Sequence, residues 1–182
     1  MSRIGIFFGT DTGHTRRIAK LIAKQLGDIA DPPLNINRVG IAELLAYDAL
    51  ILGTPTLGDG ELPGLESGCQ TTSWLEFMPQ LATADLSGKR IALFGLGDQE
   101  KYPDAFCDAI ALLYDAVTER GATVVGEWPD EGYTFTSSQA IVDDAFMGLA
   151  LDQDNQAALS EARVTAWLAR VLPSLTGAEA AA

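Results

Sequence analysis

The chain's 182 residues, 47% of them hydrophobic, can bury one full core and would leave two domains cramped. Twelve Lys and Arg against 25 Asp and Glu give a net charge of −13, which argues against nucleic acid as a partner and suits a basic or cationic one. A single histidine, His14, and two cysteines, Cys69 and Cys107, fall short of a zinc site, so no metal is expected, and both thiols read as reduced.

Ile4–Phe8 is an apolar run too short for a helix and reads as a strand buried on both faces. The N-terminal stretch lacks a signal-peptide cleavage site. No run nears the ~20 residues that span a bilayer, so a soluble cytoplasmic protein is expected. Ile18, Leu21, Ile22 and Leu26 recur at helical spacing, with Gly27 as the stop. Leu34 to Val39 alternates, which predicts a half-exposed edge strand. Ala49–Leu52 and Ile91–Phe94 predict two more buried strands. Phe106, Ile110, Leu113, Tyr114 and Val117 predict a helix with Pro103 at its first position and Gly121 just past its end.

Thr123–Val125 predicts the fifth strand, and the polar stretch from Glu127 to Met147 is too long for an ordinary connection, so it reads as an insertion there. A last helix from Gln156 to Leu172 puts Leu159, Ala162, Ala166, Trp167 and Val171 on one face and ends at Pro173. Residues 1–175 then form one domain, and a tail over 176–182 should fray. Strands alternating with helices predict an α/β fold with a five-stranded, doubly wound parallel sheet, whose ligands bind at the carboxyl ends of the strands. Trp74, Trp128 and Trp167 read as packing residues, and His14 as a solvent-facing helix residue.

The loop Gly9-Thr10-Asp11-Thr12-Gly13-His14-Thr15 joins the first strand to the first helix, where free N–H groups and three hydroxyls meet the positive end of the helix dipole. Two readings stay open from the loop alone: a phosphate cradle, or a helix capped by Thr10 or Thr12. The glycine spacing and His14 exclude a Walker A loop, and a dinucleotide fingerprint is absent. A phosphoacceptor Asp is missing at the end of the third strand, where Gly53-Thr54-Pro55 stands, which excludes a response-regulator receiver.

Three loops then match one family: Thr10-x-Thr12-Gly13-x-Thr15, Gly53-Thr54-Pro55-Thr56-Leu57-Gly58-Asp59-Gly60-Glu61-Leu62-Pro63, and Gly95-Leu96-Gly97-Asp98-Gln99 with Tyr102. The chain resembles the flavodoxins. Gly148 to Asp152, Asp154-Asn155-Gln156 and the 127–147 insertion resemble the long-chain branch, and Leu57 with Pro63-Gly64-Leu65 resembles the members that serve nitrogen fixation. The resemblance implies sheet order 2-1-3-4-5 and a non-covalent flavin mononucleotide (FMN). It puts the phosphate against Thr10, Asp11, Thr12, Gly13, His14 and Thr15. The ribityl chain would lie near Thr56 and Asp154, the isoalloxazine near Leu57, Gly58, Asp59 and Tyr102, and Thr54, Pro55, Gly60, Gly95, Leu96, Gly97 and Asp98 would also contact the cofactor.

Tyr102 is the implied stacking aromatic, and Leu57 stands where many relatives have Trp. The family's peptide flip maps to Gly58-Asp59, with Gly58 free to adopt either orientation. The function implied is electron transport at low potential, a monomeric carrier cycling between semiquinone and hydroquinone and not an enzyme. Asp59, Glu61, Glu66, Asp98, Glu100 and Asp104 oppose the last electron, with Lys101 the nearby cation. Implied partners are a flavodoxin reductase or pyruvate-linked donor and the nitrogenase iron protein. The alternative is an FMN-dependent reductase of quinones or other small molecules, which would need a nicotinamide site. Cys107 reads as inert, and Cys69, if exposed, as a source of linked dimers.

Overall fold

The structure, a computed structural model, describes residues 3–178. In chain order the elements are β1 (Ile4–Phe8), α1 (His14–Leu26), β2 (Leu34–Asn35), α2 (Ile41–Leu45), β3 (Ala49–Pro55), α3 (Trp74–Leu81), β4 (Arg90–Leu96), α4 (Ala109–Thr118), β5 (Thr123–Val125), β6 (Trp128–Pro129), β7 (Ile141–Val142), β8 (Ala145–Phe146), β9 (Leu149–Leu151) and α5 (Ala157–Thr176). The main sheet is parallel, in the order β2-β1-β3-β4-β5, with β9 also on β4.

The strands are apolar on both faces because both faces are covered. Phe7, Leu50, Leu52, Ile91 and Leu93 pack with Trp74, Phe77, Ile110 and Leu113 of α3 and α4. Ile4, Ile6, Phe8, Ile51 and Phe94 pack with Ile18 and Ile22 of α1 and with Val164, Trp167 and Val171 of α5. Alternation along each strand thus feeds two cores, one per sheet face.

The fifth lane of the sheet is split. β5 pairs with Arg90–Ala92 and β9 with Phe94–Leu96, so the chain leaves the lane after Val125 and re-enters it at Leu149. Between them lies a small antiparallel sheet, β6-β8-β7, whose Phe146 joins Tyr133, Phe135 and Phe106 in an aromatic cluster. The long polar stretch is therefore an insertion within the fifth strand, anchored by its own aromatics.

Several local expectations are corrected. Leu34 to Val39 gives only a two-residue strand, because Ile36–Arg38 turns into a 3₁₀ helix as the Asn35 side chain accepts the Asn37 N–H at 3.1 Å. Pro103 does not start α4. Residues 103–108 are irregular, held by the insertion, and the helix begins at Ala109. Pro173 does not end α5, which runs to Thr176 and stops at Gly177 (φ 79°). The buried face of α5 is Ser160, Val164, Trp167, Leu168, Val171 and Leu175, while Leu159, Ala162 and Ala166 face solvent. Most of the expected fraying tail lies outside the described residues.

The tryptophans pack and also bond: Trp74 Nε1 donates to the Gly53 carbonyl at 2.9 Å, Trp167 Nε1 to the Gly126 carbonyl at 2.8 Å, and Trp128 Nε1 to the Tyr133 hydroxyl at 3.0 Å. Cys69 and Cys107 are both buried, so the linked dimers of an exposed Cys69 are not expected. Burial pushes both thiols up in pKa, which keeps them protonated and inert. Among the described residues, no helix is long and apolar enough to cross a membrane.

Candidate cofactor site

β1, β3 and β4 end side by side, in register from Phe8 through Gly53 to Phe94, and the loops leaving them converge above the carboxyl edge of the sheet. There they enclose a cavity of about 300 Å³ lined by Thr10, Asp11, Thr12, His14, Thr15, Pro55, Thr56, Leu57, Leu96, Gly97, Asp98, Lys101, Tyr102, Gln153 and Asp154. Three separate sequence segments and the segment after β9 thus meet at one place, which is where a doubly wound sheet binds ligands.

The loop into α1 does not use its threonines as helix caps. Neither Thr10 nor Thr12 caps α1. The N-cap is Gly13, at φ 97°, and no side chain bonds the helix start. Thr10 Oγ1 accepts the Gly13 N–H at 3.0 Å, which closes the loop on itself and leaves the first-turn N–H groups of α1 without a capping side chain. Thr15 is 1% exposed, and its Oγ1 has no hydrogen-bond partner among the described residues. A buried hydroxyl without a partner costs free energy unless something binds it, and this one belongs to a cavity-lining residue at a helix N-terminus. His14 is half-buried and lines the same cavity, not the solvent-facing helix residue expected.

The loops that carry Tyr102 and Asp154 are joined by a carboxylate that nothing in the sequence marks out. Asp152, fully buried, accepts the Gln99 N–H at 3.1 Å, the Gln99 side-chain amide at 2.8 Å and the Asn155 amide at 2.8 Å on one oxygen. Its other oxygen accepts the Asp154 and Asn155 N–H groups at 3.1 and 3.0 Å. One side chain therefore ties the Tyr102 loop to the Asp154 loop. Asp98 in turn accepts the Glu100 and Lys101 N–H groups and the Asn155 amide. Burial opposes its charge, yet these donors hold its carboxyl below the ordinary carboxylate range. Gln153 also lines the cavity; only its place beside Asp154 could have signalled it.

The remaining expected residues support the wall from behind or beside it. Thr54 is fully buried, its hydroxyl donating to the Pro55 carbonyl at 2.8 Å, and Gly95 packs against Ile110. Gly58, Asp59 and Gly60 sit outside the lining, on a turn closed by the Gly60 and Glu61 N–H groups donating to the Leu57 carbonyl at 3.1 and 2.8 Å. Lys101 lies over the Tyr102 ring, with Nζ 5.3 Å from its centroid, and is the cation of the site.

Comparison with known proteins now decides the family: the model of the family described as Flavodoxin matches residues 6–167. The chain belongs to the flavodoxin family. A flavodoxin of Klebsiella pneumoniae is 57% identical over 171 residues, covering 94% of this chain and 97% of that one. Flavodoxin 1 of Escherichia coli is 46% identical over 177 residues, covering 96% of both chains. Among solved structures, Fusobacterium nucleatum flavodoxin bound to flavin mononucleotide matches with TM-score 0.83 and 34% identity, covering 93% of this chain and 96% of that one. The doubly wound order expected of a flavodoxin is the order of this sheet.

Proposed function

We propose that this flavodoxin is a cytoplasmic one-electron carrier of low potential that holds FMN non-covalently in the cavity at the carboxyl edge of its sheet. FMN is its cofactor, and it carries electrons rather than catalysing a reaction of its own. The observation that carries this reading is the pairing of an unsatisfied, buried Thr15 hydroxyl with uncapped helix N–H groups in a cavity that Leu57 and Tyr102 also line. Solved relatives with FMN bound support it.

In this reading Thr10, Asp11, Thr12, Gly13, His14 and Thr15 hold the phosphate with backbone N–H groups and hydroxyls, without a Lys or Arg in the loop. Thr56 and Asp154 meet the ribityl hydroxyls. Leu57 and Tyr102 cover the two faces of the ring and exclude water, Leu57 supplying dispersion where an aromatic would add electron density. The bound FMN supplies the redox chemistry, taking up electrons one at a time, and the chain sets the potential of each step. Gly58, at φ 49°, already occupies the left-handed region, so its peptide turns over without a Cβ penalty and can present either its carbonyl or the following N–H to the ring.

Asp11, Asp98 and Asp154 line the cavity with Lys101, and the exposed Asp59, Glu61, Glu66, Glu100 and Asp104 belong to the loops that this reading sets around the ring. One such charge about 10 Å from an added electron, at an effective dielectric near 20, raises its energy by roughly 1.7 kcal/mol, about 70 mV. Several of them hold the second one-electron potential low, which suits donation to strongly reducing acceptors. The donor is a flavodoxin reductase or pyruvate-linked oxidoreductase and the acceptor the nitrogenase iron protein, in line with Leu57 and Pro63-Gly64-Leu65.

Reductive titration of the purified yellow protein, with Gly58→Ala beside it, tests this. The reading expects two separated one-electron steps in the parent and a smaller separation in the variant. A colourless protein that takes up no FMN, or identical potentials in both, refutes it.

A further inference from the structure

Asp108 is a carboxylate that the site as described leaves unused. It precedes α4, is 7% exposed, and accepts the Gln139 N–H of the insertion at 2.8 Å on Oδ1. Its other oxygen faces the 57–61 turn. A Cβ built on Gly60, whose φ is 113°, would lie 2.9 Å from Asp108 Oδ2, so only glycine lets the turn rest against this carboxylate. The neighbouring Ala109 N–H donates to Thr56 Oγ1 at 3.4 Å, so one short stretch touches the ribityl side and the turn at once.

The groups around it leave the charge uncompensated. The turn brings Asp59 and Glu61, both exposed and both negative, and its own segment brings the buried Cys107 thiol and exposed Asp104. The strap over residues 134–140 brings no titratable side chain at all. Among the described residues no cation pairs with Asp108. Burial accordingly pushes its carboxyl above the ordinary carboxylate range, against the lowering effect of the Gln139 N–H.

We propose that Asp108 is the positioning residue that couples the insertion to the 57–60 turn, and that its carboxylate takes up a proton when bound FMN receives its second electron. This rests on the FMN reading above. One electron enters the cofactor from a low-potential protein donor. In the pH interval between its midpoints in the oxidised and reduced protein, a proton passes from solvent to Asp108, forming an O–H bond and offsetting the added charge; above that interval Asp108 stays ionised and opposes the electron. Linkage is reciprocal: whatever an added electron does to the protonation of Asp108, protonation does to the second potential.

The test uses the FMN-loaded protein and Asp108→Asn, which keeps the shape and the acceptor for the Gln139 N–H but cannot ionise. Both one-electron potentials are measured from pH 4.5 to 8. At neutral pH the variant's second potential is expected to be less negative by a tenfold change in the equilibrium, which is about 59 mV for one electron. The two proteins are expected to converge as the parent's Asp108 protonates at low pH. A gap that is absent, or equally wide at every pH, overturns the proposal, because a merely structural role has no reason to vanish on protonation.

A second measurement needs no variant: the ¹³C carboxyl titration of Asp108 in the oxidised and fully reduced parent. The midpoint is expected to rise by about one pH unit on reduction, the same tenfold coupling, and an unmoved midpoint overturns the proposal. A chain that binds no FMN refutes the function, whereas one that binds FMN with Asp108→Asn tracking the parent refutes only this coupling.

Discussion

Replacing Thr15 by Val separates what the fold wants from what the ligand wants. The two side chains have nearly the same shape, so the 1%-exposed site is not repacked. What changes is one hydroxyl with no partner among the described residues. An unsatisfied buried hydroxyl costs about 1–3 kcal/mol, and removing it from the apoprotein should return about 1 kcal/mol. With a urea dependence of about 2 kcal/mol per molar, that moves the unfolding midpoint up by about 0.5 M. In the loaded protein the same hydroxyl would bond a phosphate oxygen, and a hydrogen bond to a charged group contributes about 1.5–3 kcal/mol. FMN should therefore dissociate about tenfold to a hundredfold more readily. Urea unfolding of the apoprotein and quenching of flavin fluorescence on binding read the two effects separately. Thr15→Val that destabilises the apoprotein and leaves FMN affinity untouched would show that the hydroxyl is a packing group and the cradle misassigned.

Asp152→Ala removes the acceptor of five hydrogen-bond donors and should weaken FMN binding at least tenfold by freeing the Tyr102 and Asp154 loops, seen as faster exchange of the Gln99 and Asn155 amides. Tyr133→Phe leaves the Ala150 carbonyl and the Trp128 indole N–H without their shared partner, and urea unfolding should register a loss of about 1–3 kcal/mol. Because the folded Asp108 carboxyl lies above its unfolded value, the stability it contributes is complete below about pH 4 and is lost as pH rises through the folded value. Urea midpoints of Asp108→Asn should consequently gain on the parent between pH 4 and pH 7. Added salt should slow electron transfer to the physiological partner in stopped-flow experiments, since charges more than about 10 Å apart are screened at 0.1 M.

The sheet was legible because its strands are short, apolar on both sides and bounded by glycine, and their order followed from the family resemblance. The three loops were legible because they hold side chains that no core would use, such as the Thr10–Thr15 hydroxyls. Helix ends were less so. Pro103 and Pro173 both looked like boundaries, but the insertion's bonds to Pro103 and the Asp104 and Phe106 carbonyls hold residues 103–108 out of the helix, and Pro173 is accommodated within the last turn of α5. The face of α5 was misread because alanine marks neither core nor surface, and the buried Ser160 carries no apolar signal. Asp152 and Asp108 escaped notice since in sequence they are two more acids among 25, and only folding brings their partners from 53 and 31 residues away.

Charge is distributed unevenly over the elements of the fold. The cavity lining carries Asp11, Asp98 and Asp154, with Lys101. Along α1, whose sequence has no acid at all, stand the exposed Arg16, Arg17, Lys20 and Lys24. An acidic cavity lining and a wholly basic helix thus stand on the same molecule. In the field of a charged partner such segregated patches experience a torque before anything touches, so encounters do not arrive in random orientations, and the orientational penalty on a brief contact is reduced.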